Sequence, residues 1–276
     1  MRYTKMHGAG NSFVILENAH GELQGEDLGV LALLLCRQEM TDGMIVLSDG
    51  GEEADVSMLF YNSDGSTGEM CGNGARCTAR YAVEHGFARD AEHIRIRATA
   101  GLVTARRISK ELYEIRLNDP SVIELERRVE LDGETLVCSY VELGDPGIPH
   151  AVVAVEEGAF RDLDALRERG RALRHHRAFP KGANVSFVCS KGTGRVRAVT
   201  FERGVEDFTL ACGTGCGAIA LSLLLSGKEK GDRLTVDMPG GTLSVALRRE
   251  GGEVKDLLLT GPTAVTGEGN LPDARA

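Results

Sequence analysis

Cys71 and Cys212 stand 141 residues apart in two segments with the same punctuation. Residues 60–86 run from Phe60 through Cys71-Gly72-Asn73-Gly74 to Gly86, and residues 201–227 run from Phe201 through Cys212-Gly213-Thr214-Gly215 to Gly227. The segments align without a gap, with Ala79 on Ala220 and the closing glycines on each other. Each cysteine is expected where a turn becomes a helix, with the glycine beyond as the left-handed residue that stops it. Two related halves can present one sulfur from each side of a cleft. That arrangement suits a two-base reaction at a single carbon.

The chemistry follows from what a helix start offers. The unpaired N–H groups of Gly72-Asn73-Gly74 and Gly213-Thr214-Gly215 form an anion site, and the helix dipole is expected to hold either cysteine as thiolate well below the ordinary thiol pKa of roughly 8.5. An α-amino acid with its carboxylate there would offer Cα–H to one sulfur while the other waits on the opposite face. Charge spreading into the carboxylate as the proton leaves would be stabilised by these donors, each worth on the order of 3 kcal/mol. The scheme needs no cofactor, and no lysine motif argues for pyridoxal phosphate. Zinc is a poor reading, because no second cysteine pair lies at ligand spacing. The glycine-rich turns lack the Gly-Lys-Ser/Thr of a phosphate loop.

The elements that must position these groups read as short strands alternating with a few helices. Strands are expected over 12–16, 44–48, 56–61, 94–98, 102–108 and 112–117, then over 135–143, 151–155, 184–189, 195–201, 233–238, 242–248 and 254–260. Helices are expected over 28–36, 75–85, 163–173 and 216–225. The last is apolar on every side, so it should be buried on every side. Asn118-Asp119-Pro120 marks the seam between a first domain, 1–118 plus a returning 262–276, and a second, 119–261. The fold class is α/β (α+β): two pseudo-symmetric domains, each a curved mixed sheet wrapped around a central helix, with the active site in the cleft between them.

Length, 276 residues, accommodates two such domains, and 42% apolar content supplies their cores. A net charge of −9 opposes a phosphate backbone, so no nucleic-acid partner is expected. No apolar run is long enough for a bilayer, no membrane partner is expected, and the first ten residues do not read as a signal peptide. Seven cysteines without framework spacing read as thiols in a reducing, cytoplasmic compartment. Cys36, Cys138 and Cys189 read as core thiols, Cys77 and Cys216 as helix packing, His7 as structural, and Asp64 and Glu69 as solvated loop acids.

Five separated motifs now stand in order: His7-Gly8-Ala9-Gly10-Asn11; Tyr61-Asn62 followed by Met70 to Cys77; Pro149-His150; Asn184 to Val188; and Glu202-Arg203-Gly204-Val205 leading into Ala211 to Gly215. Through them the chain resembles the pyridoxal-phosphate-independent diaminopimelate epimerases over nearly its full length. The resemblance implies inversion of one α-carbon of LL-2,6-diaminopimelate to the meso isomer, a precursor of lysine and peptidoglycan. It implies that Cys71 and Cys212 are acid and base, and that His150 and Glu202 tune their protonation. It further implies that Asn11, Asn62, Asn184, Glu202 and Arg203, with Gly72, Asn73, Gly213 and Thr214, bind the amino-acid substrate. Arg203 suits the distal carboxylate because its planar fork can bind it bidentately. Neither a metal nor a cofactor is implied, and a homodimer is kept open.

The departures from the pattern bear on substrate. Ile148 stands where the family usually has Asn, Ser12 where it has Asp, and Gln38 to Gly43 replaces a Gly-Ile-Gly-x-Asp-Gly segment. Exchanging an amide that meets a carboxylate for an alkyl group costs roughly 1–3 kcal/mol. Another group compensates, or the substrate is a different amino acid. Two alternatives therefore stay open: a racemase or epimerase of another amino acid on the same frame, and a non-catalytic amino-acid-binding homologue.

Overall fold

The computed structural model describes residues 1–68 and 70–271. Glu69, read above as a loop acid, and residues 272–276 of the expected first-domain tail lie outside the described residues. The chain divides into two compact units, Met1–Ile115 with the tail from Thr260, and Arg116–Leu259.

In the first unit, Asn11–Glu17 and Gly43–Asp49 pair in parallel, Phe13 opposite Gly43, and helix α1 (Leu28–Glu39) makes the crossover. The central residues of both strands are buried, which is why they read as continuous apolar runs rather than alternations. Val14, Leu16, Met44 and Val46 pack with Ala32, Leu35 and Cys36 of α1. Val56–Asn62 runs antiparallel to Gly43–Asp49 and parallel to Ile94–Ala98, with helix α2 (Gly72–Glu84) as the second crossover. Gly101–Arg107 and Leu112–Leu117 extend this side. On the other side Arg2–Gly8 lies between Asn11–Glu17 and Ala264–Asn270, so the end of the chain returns to the first unit.

The second unit repeats the plan. Ile148–Ala154 and Asn184–Ser190 pair in parallel, His150 opposite Asn184, about helix α3 (Leu163–Arg174). Arg195–Phe201 follows antiparallel and runs parallel to Arg233–Met238 by way of helix α4 (Gly213–Leu225). The hairpin of Pro120–Leu131 and Glu134–Leu143 flanks one side, and Gly241–Glu250 the other. Leu166 and Leu173 of α3 pack on Ala151, Val153, Val185, Phe187 and Phe201.

Helices α2 and α4 hold equivalent places, and both stop before a glycine with positive φ, Gly86 at 79° and Gly227 at 73°, a conformation L side chains resist. In α4 every residue from Gly215 to Leu224 is buried, as its all-round apolar composition requires. In α2 the buried run from Asn73 to Ala82 includes Arg76 and Arg80. Burying a guanidinium is tolerable only when its donors are met. Arg80 donates to the Thr263 carbonyl at 2.8 Å and pairs with Glu84 at 3.0 Å. Among the described residues no helix is long and apolar enough to cross a membrane.

Candidate active site

Cys71 is the N-cap of α2 and Cys212 the N-cap of α4, each in extended backbone. Each sulfur accepts the N–H three residues on, Gly74 for Cys71 and Gly215 for Cys212, both at 3.4 Å. The helices begin immediately after the cysteines, earlier than the residue patterns at 75 and 216 suggested. Gly72-Asn73 and Gly213-Thr214 are therefore first-turn residues whose N–H groups have no carbonyl partner within the helix.

The expectation that the helix end makes either sulfur a ready thiolate is corrected at Cys212. Burial, followed by the neighbouring Glu202 carboxylate, raises its thiol well above the usual range; the Thr214 hydroxyl at 3.7 Å and the Gly215 N–H pull the other way and lose. Glu202 is half-buried, and desolvation raises its carboxyl against hydrogen bonds from Thr209 at 2.5 Å and from Cys212. Burial and the Glu202 carboxylate together favour the thiol form at Cys212.

His150 and Asn184 are paired positions of adjacent strands. His150 is fully buried, and neither ring nitrogen has a hydrogen-bond partner among the described residues. Burial first and the Arg203 charge second push its imidazole down to about 3, so it is neutral at physiological pH. Asn184 accepts the Arg203 backbone N–H at 2.7 Å, and the Arg203 guanidinium reaches the Lys181 carbonyl at 3.1 Å. The second unit thus joins Glu202 to Cys212 and Arg203 to Asn184, with Arg203 in electrostatic range of His150.

In the first unit Asn73 donates to Asn11 at 2.5 Å and accepts from Arg76 at 2.7 Å. Asn62 closes a turn with Ser66 at 3.0 Å and shares no hydrogen bond with Asn11 or Asn73 among those described. Asp64 accepts the Ser66 N–H and hydroxyl, which holds its carboxyl below the usual range and marks it as a turn residue. Ser12 gives its N–H and hydroxyl to Asp42 at 2.7 and 2.9 Å, so this departure links a strand to the end of the altered 38–43 segment. His7 has a buried Nδ1 with no hydrogen-bond partner among the described residues. Ile148 begins its strand with no polar atom to replace the amide.

Cys36, Cys77, Cys138, Cys189 and Cys216 are buried, and burial raises Cys77 to about 12 and Cys138 to about 11. Among the described residues no group of three or more His, Cys, Asp or Glu could hold a metal ion. Three polar residues of the second unit, around Cys212, escaped sequence reasoning. Thr209 holds Glu202, and Ser186 and Thr200 form a buried hydroxyl pair at 2.9 Å beneath the start of α4. Arg76 carried one signal, a cation in the middle of a helix expected to be enclosed.

The fold is the racemase and epimerase type with two pseudo-symmetric α/β halves. A phenazine biosynthesis protein of the PhzF family from Bacillus anthracis shares it at TM-score 0.74 and 14% identity, covering 99% of both chains. A probable proline racemase from Agrobacterium radiobacter K84 shares it at TM-score 0.70 and 17% identity, covering 99% of this chain and 93% of that one. The family is narrower than the fold: the diaminopimelate epimerase model matches residues 3–115 and 144–265, and the diaminopimelate epimerase of Aquifex aeolicus is 34% identical over 291 residues, 99% of this chain and 98% of the other. The chain belongs to the diaminopimelate epimerase family and is an isomerase of that family.

Proposed function

We propose that this chain interconverts LL- and meso-diaminopimelate by proton transfer at one α-carbon, without pyridoxal phosphate, as a step supplying lysine and peptidoglycan precursors. The observation that carries the reading is that Cys71 and Cys212 cap equivalent helices in two repeats of one fold, each sulfur accepting a first-turn N–H. Family membership supports the substrate.

The unequal surroundings of the sulfurs give the first turnover a direction. Cys212, a thiol beside Glu202, starts as the acid, and Cys71 starts as the base. Cys71 takes the α-proton of the LL isomer, charge passes into the α-carboxylate, and Cys212 gives its proton to the other face of the carbon. The reverse reaction exchanges the roles. Donors at the two helix starts stabilise the enediolate because they are already oriented when charge develops. Glu202 controls when Cys212 holds its proton, and neutral His150 offers unpartnered ring nitrogens for the same control. Arg203 and Asn184 bind the distal amino-acid end, with Asn62 as a further contact. We place this chemistry in the cytoplasm, where free thiols persist, and in a homodimer, on the family resemblance.

The test is incubation of LL-diaminopimelate with purified protein and a thiol reductant, with no added cofactor, while the meso isomer is followed. Cys71→Ala and Cys212→Ala should each abolish its appearance with the fold intact. Near-normal turnover by either variant sinks the two-base scheme, and turnover only of other amino acids in a parallel panel sinks the substrate.

A further inference from the structure

Arg76 has no part in the reaction as written, yet it is fully enclosed at the fifth position of α2. Its Nη2 donates to Asn73 Oδ1 at 2.7 Å and its Nη1 to the Gly72 carbonyl at 3.3 Å. Asn73 Nδ2 donates in turn to Asn11 Oδ1 at 2.5 Å. The order of donors in this chain is forced. A guanidinium has five N–H groups and no acceptor, so Asn73 must turn its oxygen toward Arg76. Its NH2 group is then the end left for Asn11, and Asn11 must meet it with oxygen. The Asn11 NH2 is the free end of the relay, and among the described residues it donates to no protein acceptor.

The second unit shows that the scaffold does not require this relay. Pairing of His150 with Asn184 matches that of Phe13 with Gly43, which puts Ile148 where Asn11 stands. At the spacing of the cysteines, Thr214 matches Asn73 and Gly217 matches Arg76. Helix α4 keeps its place with a glycine there, closed over by Leu117 and Leu257. An alkyl group, a hydroxyl and a bare backbone do for packing what Asn11, Asn73 and Arg76 do in the first unit. The polar relay therefore serves something other than helix packing.

We propose that Arg76 is a positioning residue: through Asn73 it locks the Asn11 amide so that its NH2 faces a carboxylate of the bound amino acid. The carboxylate rests on the function proposed above; the polarity of the relay does not. An amide free to flip would present oxygen to the same anion half of the time, and a donor facing a charged acceptor is the stronger, shorter bond.

Two measurements separate the relay from the function. In labelled, deuterated protein, coupling across the hydrogen bond should connect Asn73 Nδ2 to the Asn11 side-chain carbonyl carbon. Coupling in the opposite sense overturns the proposal without any turnover being needed. In the same spectra diaminopimelate should move the Asn11 NH2 protons downfield, and protons that stay put with ligand bound, or absence of any binding, overturn the carboxylate contact. In kinetics with LL-diaminopimelate, Asn73→Asp keeps an acceptor facing Arg76 but loses the donor to Asn11. KM should rise about ten- to hundredfold with kcat within about threefold. Arg76→Lys, still donor-only, should restore KM to within a few-fold of wild type, and Arg76→Gln should not. A wild-type KM in Asn73→Asp, or equal KM for the Lys and Gln variants, overturns the proposal. If the wild type does not epimerise diaminopimelate, the functional reading falls while the coupling measurement, which needs no ligand, still decides the polarity of the relay.

Discussion

At the sulfur of Cys212 a helix N-terminus, which favours thiolate, meets burial and a carboxylate neighbour, which favour thiol, and the second pair wins. Removing the carboxylate's charge should shift the balance. Glu202→Gln should therefore lower the Cys212 pKa and speed its alkylation by iodoacetamide near pH 8, read by mass spectrometry of the Cys212 peptide; equal rates in the two proteins would mean that Glu202 does not govern the thiol. His150 writes its state into stability. The folded chain holds its imidazole at about 3, while the unfolded chain protonates near 6.5. Between these values the unfolded state binds the extra proton, so this contribution is full above about pH 6.5 and is lost as pH falls toward 3, at up to about 1.4 kcal/mol per pH unit. Acidifying from pH 6.5 to 5 should cost the wild type about 2 kcal/mol more than His150→Asn, measured by urea unfolding. The raised carboxyl of Glu202 acts in the opposite sense above its unfolded value, but it is present in both proteins and leaves the difference between them.

Helices α1 and α4 carry similar leucine-rich runs with opposite consequences. Leu221 in α4 is completely buried, whereas Leu34 in α1 is 61% exposed. Leu221→Ala should cost about 2–5 kcal/mol and Leu34→Ala less than about 1 kcal/mol, as shifts of the urea midpoint. Comparable losses would show that α4 is not the enclosed element it is drawn as. Much of this was legible in residue pattern: residues 12–16 and 44–48 read as strands, and 217–225 as a buried helix. Strands at the margins were not legible. Arg2–Gly8 buries Tyr3, Thr4 and Met6, but its interspersed polar residues and the glycines at its end carry no strand pattern. Pro120–Leu131 is mostly exposed, so its charged side chains hid a strand whose stability comes from its hairpin partner. The site divides the same way: the motif cysteines, His150 and Glu202 were readable as residue types. The Arg76–Asn73–Asn11 chain was not, because burial and donor direction exist only once the helix is packed.

Across the whole molecule one scaffold is used twice with different chemistry laid on it. At the 141-residue spacing Tyr61 matches Glu202, Asn62 matches Arg203, Ile45 matches Ser186 and Arg76 matches Gly217. Equal backbones with unequal side chains leave one sulfur for each face of the carbon in the proposed scheme, and isotope transfer can read this. On the proposed two-base scheme, in heavy water the Cys212 thiol should exchange before turnover and deliver a deuteron, while Cys71 should hold the protium it removed. Early meso product should carry deuterium at the inverted carbon, and recovered LL substrate should carry almost none, because labelling it requires Cys71 to exchange before the carbanion collapses. A single base serving both faces would return its own proton and leave early product largely unlabelled. Mass spectrometry of both isomers below about a tenth of equilibrium conversion distinguishes these cases. Unlabelled product, or substrate labelled as fast as product, would remove the assignment of one sulfur to each face.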